Sequence, residues 1–257
     1  MVINENFENY YSSLYGDRWE NLRKSLLEEA KTVDFSDGLT KAYRLDYASV
    51  LAAMSLRIGD SGIILDACAA PGGKSLVLLS RMNKNVSLLS NELSAERRRR
   101  LLNVLNEHLD SEKRSLVNVS GFDAAALGAK KSEHERFDGI LLDVPCSSER
   151  HVIQNTKALS EWTKARPRFL SRRQWSLLSS SFLLLKSGGS LVYSTCAVSN
   201  EENDGVVSRL MQKYKDRVLL DEVDFTEGEK TIFGRIILPD ICYGMGPMYI
   251  ARFRKTD

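Results

Sequence analysis

The sequence predicts an α/β protein with a mostly parallel sheet. From residue 62 onward, short apolar runs alternate with stretches of helical periodicity. The runs are apolar at successive positions, as strands covered on both faces must be. Each strand is followed by a polar or glycine-containing turn and then a helix, the order of a sheet with helices on both sides.

Taken in order, residues 1–57 read mainly as helix. Phe7, Tyr10, Tyr11, Leu14 and Trp19 recur at helix-like spacing before "ENLRKSLLEEAK", giving a packing or lid segment. "GIILDACAA" is the first buried strand and "GKSLVLLSRM" its helix. "VSLLSNE" is the second strand, followed by the helix "SAERRRRLLNVLNEHL", and "SLVNVSGFD" is the third. "GILLDVP" is the fourth, and the helix "SRRQWSLLSSSFLLLK" leads through a turn at Ser187, Gly188 and Gly189 into "SLVYST". "IILPD" and "PMYIARFR" are joined too tightly for a crossover helix, so an antiparallel hairpin at the sheet edge is expected. Residues 147–170 show no periodic helix, and a loop of that length is usually functional. It holds His151 and Trp162.

With 43% hydrophobic and 27% charged residues, and no apolar run near the roughly 18 residues a membrane span requires, a cytoplasmic protein without a membrane is expected. The opening "MVINENFENYYSS" lacks the order of a secretory signal. Cys68, Cys146, Cys196 and Cys242 form no CxxC pair, which argues against structural zinc or a redox dithiol; no metal is expected. A net charge of +2 makes no case for nucleic acid by itself. "ERRRR" and the group Lys157, Lys164, Arg166, Arg168, Arg172 and Arg173 are, each alone, more often solvated faces. His108 and His134 are expected at the surface, and Cys242 in the core.

"LDACAAPGGKS" is not a phosphate loop, because GxxxxGK[ST] would need glycine at Cys68; nor does it match GxGxxG. It is a glycine pair between a first strand and a first helix, where a ligand can approach the backbone. Asp66, Glu92, Asp123 and Asp143 stand at or near the ends of four consecutive strands. That ring of acids would repel a pyrophosphate and suits a nucleoside bearing a sulfonium cation, S-adenosylmethionine, with Glu92 on the ribose hydroxyls. The competing explanation is that each acid caps the next helix.

Cys146 and Cys196 both follow an apolar strand and precede a polar loop. A methyl donor needs such thiols when the acceptor is carbon 5 of a pyrimidine, a poor nucleophile until a thiolate adds to carbon 6. A thiol of pKa about 8.5 must be helped to ionise, and a second acid–base group is useful when the adduct breaks down. Asp143, three residues before Cys146, is placed to bond the ring nitrogen. Chemistry alone does not rank the two cysteines.

"DACAAPGGKS", "DVPCSSERH" and "YSTCAVSNEEND" closely resemble the cofactor, PC and TC motifs of the Fmu/Sun family of RNA cytosine-5 methyltransferases, over roughly residues 35–257. The opening "FENYYSSLYGDRWENLRKSLL" and the ending "GPMYIARFRK" look most like the mitochondrial small-subunit ribosomal RNA branch. The resemblance implies a Rossmann-like class I methyltransferase fold with a seven-stranded sheet, the catalytic domain spanning residues 58–257. Cys196 would be the nucleophile and Cys146 would assist release. The loop Cys68, Ala69, Ala70, Pro71, Gly72, Gly73 and Lys74, with Glu92, Arg97, Asp123 and Asp143, would line the cofactor site, Asp123 near the adenine amino group. Lys74 and Asp143 would anchor the target ring.

Small-subunit ribosomal RNA or an assembling subunit is the partner the resemblance implies, with the protein acting as a monomer. Many bacterial members carry an added helical or RNA-binding module for which this chain has no room. RNA recognition is then expected from basic surfaces, residues 1–60, a partner protein or the assembled particle. The target cytosine must be presented unstacked, and the 147–170 segment is placed to cover it. Methyl transfer to a protein or small-molecule acceptor, and a ribosome-assembly factor without turnover, are the alternatives.

Overall fold

The computed structural model describes residues 3–257. Helices α1 (Glu5–Tyr15) and α2 (Trp19–Leu27) open it, joined by a 3-10 turn. Asn4 starts α1 by accepting a hydrogen bond from the Phe7 amide, an N-cap that satisfies one of the free first-turn donors. Residues 1–57 are mainly helical as expected, but a pair of strands not read from the sequence interrupts them after residue 30. Strands β1 (Thr32–Phe35) and β2 (Tyr43–Asp46) form a separate antiparallel pair before α3 (Tyr47–Met54). Both strands are short and half-buried, so their alternation of β-branched, aromatic and polar residues is easily taken for a helical face.

The main sheet comprises β3 (Gly62–Asp66), β4 (Val86–Asn91), β5 (Val117–Ser120), β6 (Phe137–Asp143), β7 (Leu185–Thr195), β8 (Val218–Asp221), β9 (Glu229–Lys230), β10 (Arg235–Ile237) and β11 (Met248–Lys255). Its order is β5-β4-β3-β6-β7-β11-β10-β9, with β8 also on β11. The five strands from β5 to β7 are parallel, and β11 runs antiparallel to β7. The α/β expectation and the antiparallel pairing of β10 with β11 therefore hold. Nine strands replace the expected seven because β8, four residues long, also pairs with β11 and the two-residue β9 extends the edge beyond β10. The turn expected at Ser187–Gly189 is a bulge within β7. Leu185 pairs with Phe137 and Ser190 with Gly139, so the extra residues loop out. A Cβ on Gly189 would come within 2.9 Å of the Asp138 carbonyl oxygen.

The remaining helices are α4 (Gly73–Arg81), α5 (Ala95–His108), α6 (Ser111–Ser115), α7 (Ala124–Leu127), α8 (Glu149–Gln154), α9 (Thr156–Ser160), α10 (Ala165–Leu184) and α11 (Asp204–Lys213). Alternate strand residues feed two cores, one on each face of the sheet. Leu65, Ile140 and Leu142 join the face covered by α1, α2, α10 and α11; Ile64 and Leu141 join that covered by α3, α4 and α5.

Residues 147–170 are not a loop. They carry α8, α9 and the start of α10, and Trp162 is 2% exposed against Phe7, Tyr10 and Tyr11. Helices of five and six residues are too short to show a period, and tertiary contact supplies their stability. Phe7, Tyr11, Trp19, Leu22 and Leu26 belong to the same core as the sheet, whereas Leu14 faces solvent. At about 1.5–3 kcal/mol per large apolar side chain buried, α1 and α2 are integral to the fold. His108 is not a surface residue, whereas His134 stays partly exposed. His108 is 6% exposed with Nδ1 2.8 Å from the Lys41 carbonyl oxygen, and His134 Nε2 lies 2.7 Å from that of Gly128. Cys242 is buried as expected. Among the described residues no helix is long and apolar enough to cross a membrane, and no cluster of His, Cys, Asp or Glu could hold a metal ion.

Candidate active site

The carboxyl ends of β3, β4, β6 and β7 open onto one cleft, where ligands sit in sheets of this kind. Three adjoining cavities make it up. A cavity of about 350 Å³ runs between Cys68, Glu92, Arg97, Asp123 and Arg173. A smaller one of about 120 Å³ lies between Tyr43, Ser49, Asp66, Cys68, Lys74 and Asp143. A third, of about 320 Å³, is bounded by Asp46, Ser49, Ser148, Arg150, His151 and Cys196. Cys68 is common to the first two and Ser49 to the last two, so the cleft is continuous.

The turn from β3 to α4 forms its floor. Gly72 has φ of +123°, and a Cβ there would come within 3.0 Å of Val104 and 3.2 Å of Leu101. Only glycine fits both requirements. Gly73, with an ordinary φ, begins α4, and a Cβ on it would meet the Tyr43 ring at 2.8 Å. Ala69 and Ala70 are buried, and Pro71 is exposed where the turn lines the smaller cavity. Arg97, from α5, donates to the Ala70 carbonyl at 2.8 Å and approaches Glu92 at 3.4 Å. Part of the "ERRRR" run thus braces this turn, with Arg98 donating to the Glu92 carbonyl.

Glu92 is 5% exposed, and its carboxylate accepts from the Ser94 amide. Asp123 caps α7 through the Ala125 amide and pairs with Arg173 at 2.5 Å. The Arg173 guanidinium holds the Asp123 carboxyl below its usual range. Asp66 is fully buried; one carboxylate oxygen accepts from Ser75 at 2.7 Å and the other has no protein partner. Burial pushes its pKa up to about 7. An unpaired buried carboxylate oxygen, a glycine turn without room for Cβ, two further acids and a cavity of nucleoside size fit the expected S-adenosylmethionine. Burial, together with the acids around it, raises Cys68, which stays a thiol lining the wall.

Lys74 Nζ lies 2.9 Å from Asp143 and 3.2 Å from Ser49. Burial alone would lower its pKa, but the Asp143 carboxylate and the nearby Cys196 outweigh it and the ammonium is raised. Asp143 is fully engaged, with Ser194 donating to its second oxygen at 2.8 Å. At the heart of the cleft the Cys146 and Cys196 sulfurs are 2.7 Å apart, and Ser148 Oγ is 3.1 Å from Cys196. The hydrogen bond to Cys196, then burial, push the Cys146 thiol well above its ordinary range.

Every site residue expected from the sequence lines this cleft or braces its walls. Sequence reasoning missed the partners that come from elsewhere: Ser49, Ser148, Arg173 and the acids Glu149 and Glu202. Ser148 has φ of +54° and ψ of +61°, a left-handed turn that aims its hydroxyl at both sulfurs. Glu149 accepts from Tyr11, Ser147 and the Val198 amide, and Glu202 accepts from the Ser147 amide and Gln174. The two loops carrying the cysteines are thereby tied to each other and to α1. The only available signal was a pair of acids inside the polar loops, "SSER" and "NEEND", which reads as solvent-facing.

The family model described as 16S rRNA methyltransferase RsmB/F matches residues 53–254. The chain is 30% identical over 235 residues to the 5-cytosine rRNA methyltransferase NSUN4 of Mus musculus, covering 85% of this chain and 61% of that protein. It is 37% identical over 199 residues to the ribosomal RNA small subunit methyltransferase F of Escherichia coli O157:H7, covering 76% and 40%. The chain therefore spans about two fifths to three fifths of the length of these relatives. NSun6 from Pyrococcus horikoshii, solved with SFG, superposes with a TM-score of 0.71 at 25% identity over 87% of this chain and 55% of that one. A methyltransferase homologue from the same organism shares the fold, with a TM-score of 0.74 at 23% identity, covering 98% and 95%. With more than half its length matched by one family model and the motif residues gathered in one cleft, the chain belongs to the 16S rRNA methyltransferase RsmB/F family.

Proposed function

We propose that the protein is an S-adenosylmethionine-dependent RNA cytosine-5 methyltransferase acting on small-subunit ribosomal RNA. The observation that carries this reading is the pair of cysteine sulfurs 2.7 Å apart beside the Lys74–Asp143 pair. Methyl transfer to an amine or hydroxyl needs neither thiol; transfer to carbon 5 of cytosine needs one as a nucleophile and gains from a second.

Cys196 is the nucleophile in this scheme. It borders the cavity shared by Asp46, Ser148 and Arg150, whereas Cys146, equally half-buried, does not line that cavity and its thiol is pushed well above its ordinary range by the contact with Cys196. The Cys146 sulfur lies within hydrogen-bond distance of the Cys196 sulfur, and the Lys74 ammonium places positive charge in the same cleft. The thiolate forms a bond to carbon 6, and the π pair of the carbon 5–carbon 6 bond moves towards carbon 5 and the ring nitrogen. When bound along Glu92, Asp123 and the Gly72 turn, S-adenosylmethionine supplies the electrophilic methyl group. Lys74, held by Asp143, stabilises the negative charge that spreads through the ring. Loss of the carbon 5 proton to solvent then restores the double bond, and the Cys196 sulfur departs with its electron pair. The Cys146 S–H hydrogen-bonds to the departing sulfur and assists release.

Residues 58–257 form the catalytic unit in this reading, with residues 1–57 an extension that braces it. A cytoplasmic monomer, helped onto its RNA by a partner protein or by the particle, fits four free thiols. The test is incubation with methyl-labelled S-adenosylmethionine and protein-free small-subunit ribosomal RNA, followed by nucleoside analysis. Label in 5-methylcytidine is expected; label only in other nucleosides or in protein overturns the reading.

A further inference from the structure

We propose that Tyr243 is a stacking shelf for the nucleotide flanking the target base in single-stranded RNA. The inference rests on the RNA reading above and adds a recognition residue outside the reacting cleft.

Tyr243 is 85% exposed, the most exposed of the large hydrophobic side chains among the described residues. Its φ is +51°, in a region a bulky side chain rarely occupies. Such strain persists only where the surroundings impose it, and here they do. The Cys242 amide donates to the Leu238 carbonyl, the Gly244 amide to Pro239 and the Met245 amide to Cys242. The Gly244 carbonyl accepts from the Lys31 amide and, at 3.1 Å, from Arg150. The Gly246 amide donates to Asp46 at 3.0 Å. A turn pinned at so many points throws the ring outward, where burial contributes nothing to offset the strain.

The same turn forms the rim of the cavity that holds Cys196. Gly246, Pro247 and Met248 line that cavity together with Asp46 and Arg150. Tyr243 lies three residues before Gly246, so their Cα atoms are at most about 10 Å apart. The Lys31 ammonium stands 5.8 Å from the ring centroid, and Arg150 lies beneath the turn. An exposed aromatic ring with a lysine ammonium against it, three residues from the rim of a base-sized cavity, has the chemistry with which proteins hold unstacked nucleotides. The ring takes a base and the cations follow the phosphates.

The experiment is a fluorescence titration, at fixed salt, of wild type and Tyr243 variants with a fluorescein-labelled single-stranded oligoribonucleotide containing one cytosine. Tyr243→Ala and Tyr243→Gly are expected to weaken binding roughly tenfold, while Tyr243→Phe and Tyr243→Trp stay within about twofold of wild type. The glycine variant relaxes the positive φ, so its loss cannot come from a damaged turn. An abasic site beside the cytosine is expected to abolish the difference between wild type and Tyr243→Ala. Equal affinity for Tyr243→Ala and wild type, or a loss in Tyr243→Phe as large as in Tyr243→Ala, overturns the shelf while leaving the RNA reading intact. Failure of wild type to bind the oligoribonucleotide at all also overturns the shelf, while the RNA reading stands or falls on the nucleoside analysis above.

Discussion

Cys146 and Cys196, fifty residues apart in the chain, meet with their sulfurs 2.7 Å apart at the ends of adjacent parallel strands β6 and β7. If Cys196 attacks and Cys146 assists release, the two alanine variants differ in kind. Cys196→Ala is expected to yield no 5-methylcytidine and no adduct. Cys146→Ala is expected to accumulate a protein–RNA adduct that survives denaturant, seen as a shifted band on a denaturing gel. An adduct formed by the Cys196 variant instead would reverse the roles.

The Lys74–Asp143 pair is only partly exposed, so removing one partner leaves a charge with poor solvation. Lys74→Met should cost about 2–3 kcal/mol of stability, below the range for a fully buried pair. It should also slow methyl transfer on the order of 10²-fold. Urea unfolding and single-turnover rates measure the two effects separately. Wild-type rates in Lys74→Met would remove the ammonium from the scheme.

Gly72 has no room for a side chain and a φ of +123°. Gly72→Ala should strain the turn by about 1–3 kcal/mol and weaken S-adenosylmethionine binding tenfold or more, by calorimetry. Unchanged affinity would mean that the cofactor does not approach this backbone.

Burial and the neighbouring Glu149 raise the Glu202 pKa to about 8 from its usual 4.5. The folded state then binds this proton more tightly than the unfolded one. Its contribution is present below pH 4.5 and is lost as pH rises towards 8. Thermal melts between pH 5 and 9 are expected to show this decline, and Glu202→Gln should flatten it. A decline just as steep in the variant would put its source elsewhere, with Asp66 the next candidate.

What was legible in the sequence follows from what local chemistry dictates. Buried strands must be apolar on both faces, so β3, β4, β6 and β7 could be read directly, and with them the parallel sheet. The Gly72 turn was legible because strand, glycine pair and helix are consecutive. The "PC" and "TC" segments were legible because each thiol sits where a strand meets a polar loop. Helices α8 and α9 were not, since five or six residues show no period; Trp162 was placed in a loop although it packs on Phe7 and Tyr11.

By itself the sequence determined the class of fold, the glycine turn between β3 and α4 and the places of the two thiols at strand ends. Only the tertiary structure decided that those thiols touch, that Cys196 borders the open cavity and Cys146 does not, and that Glu149, Glu202 and Tyr11 lock the two loops together. It also set Tyr243 outward at the cavity rim. The reason is physical. A strand's pattern is written in consecutive residues, whereas distances between loop side chains, and the burial that moves their protons, depend on segments far apart in the chain meeting across the sheet.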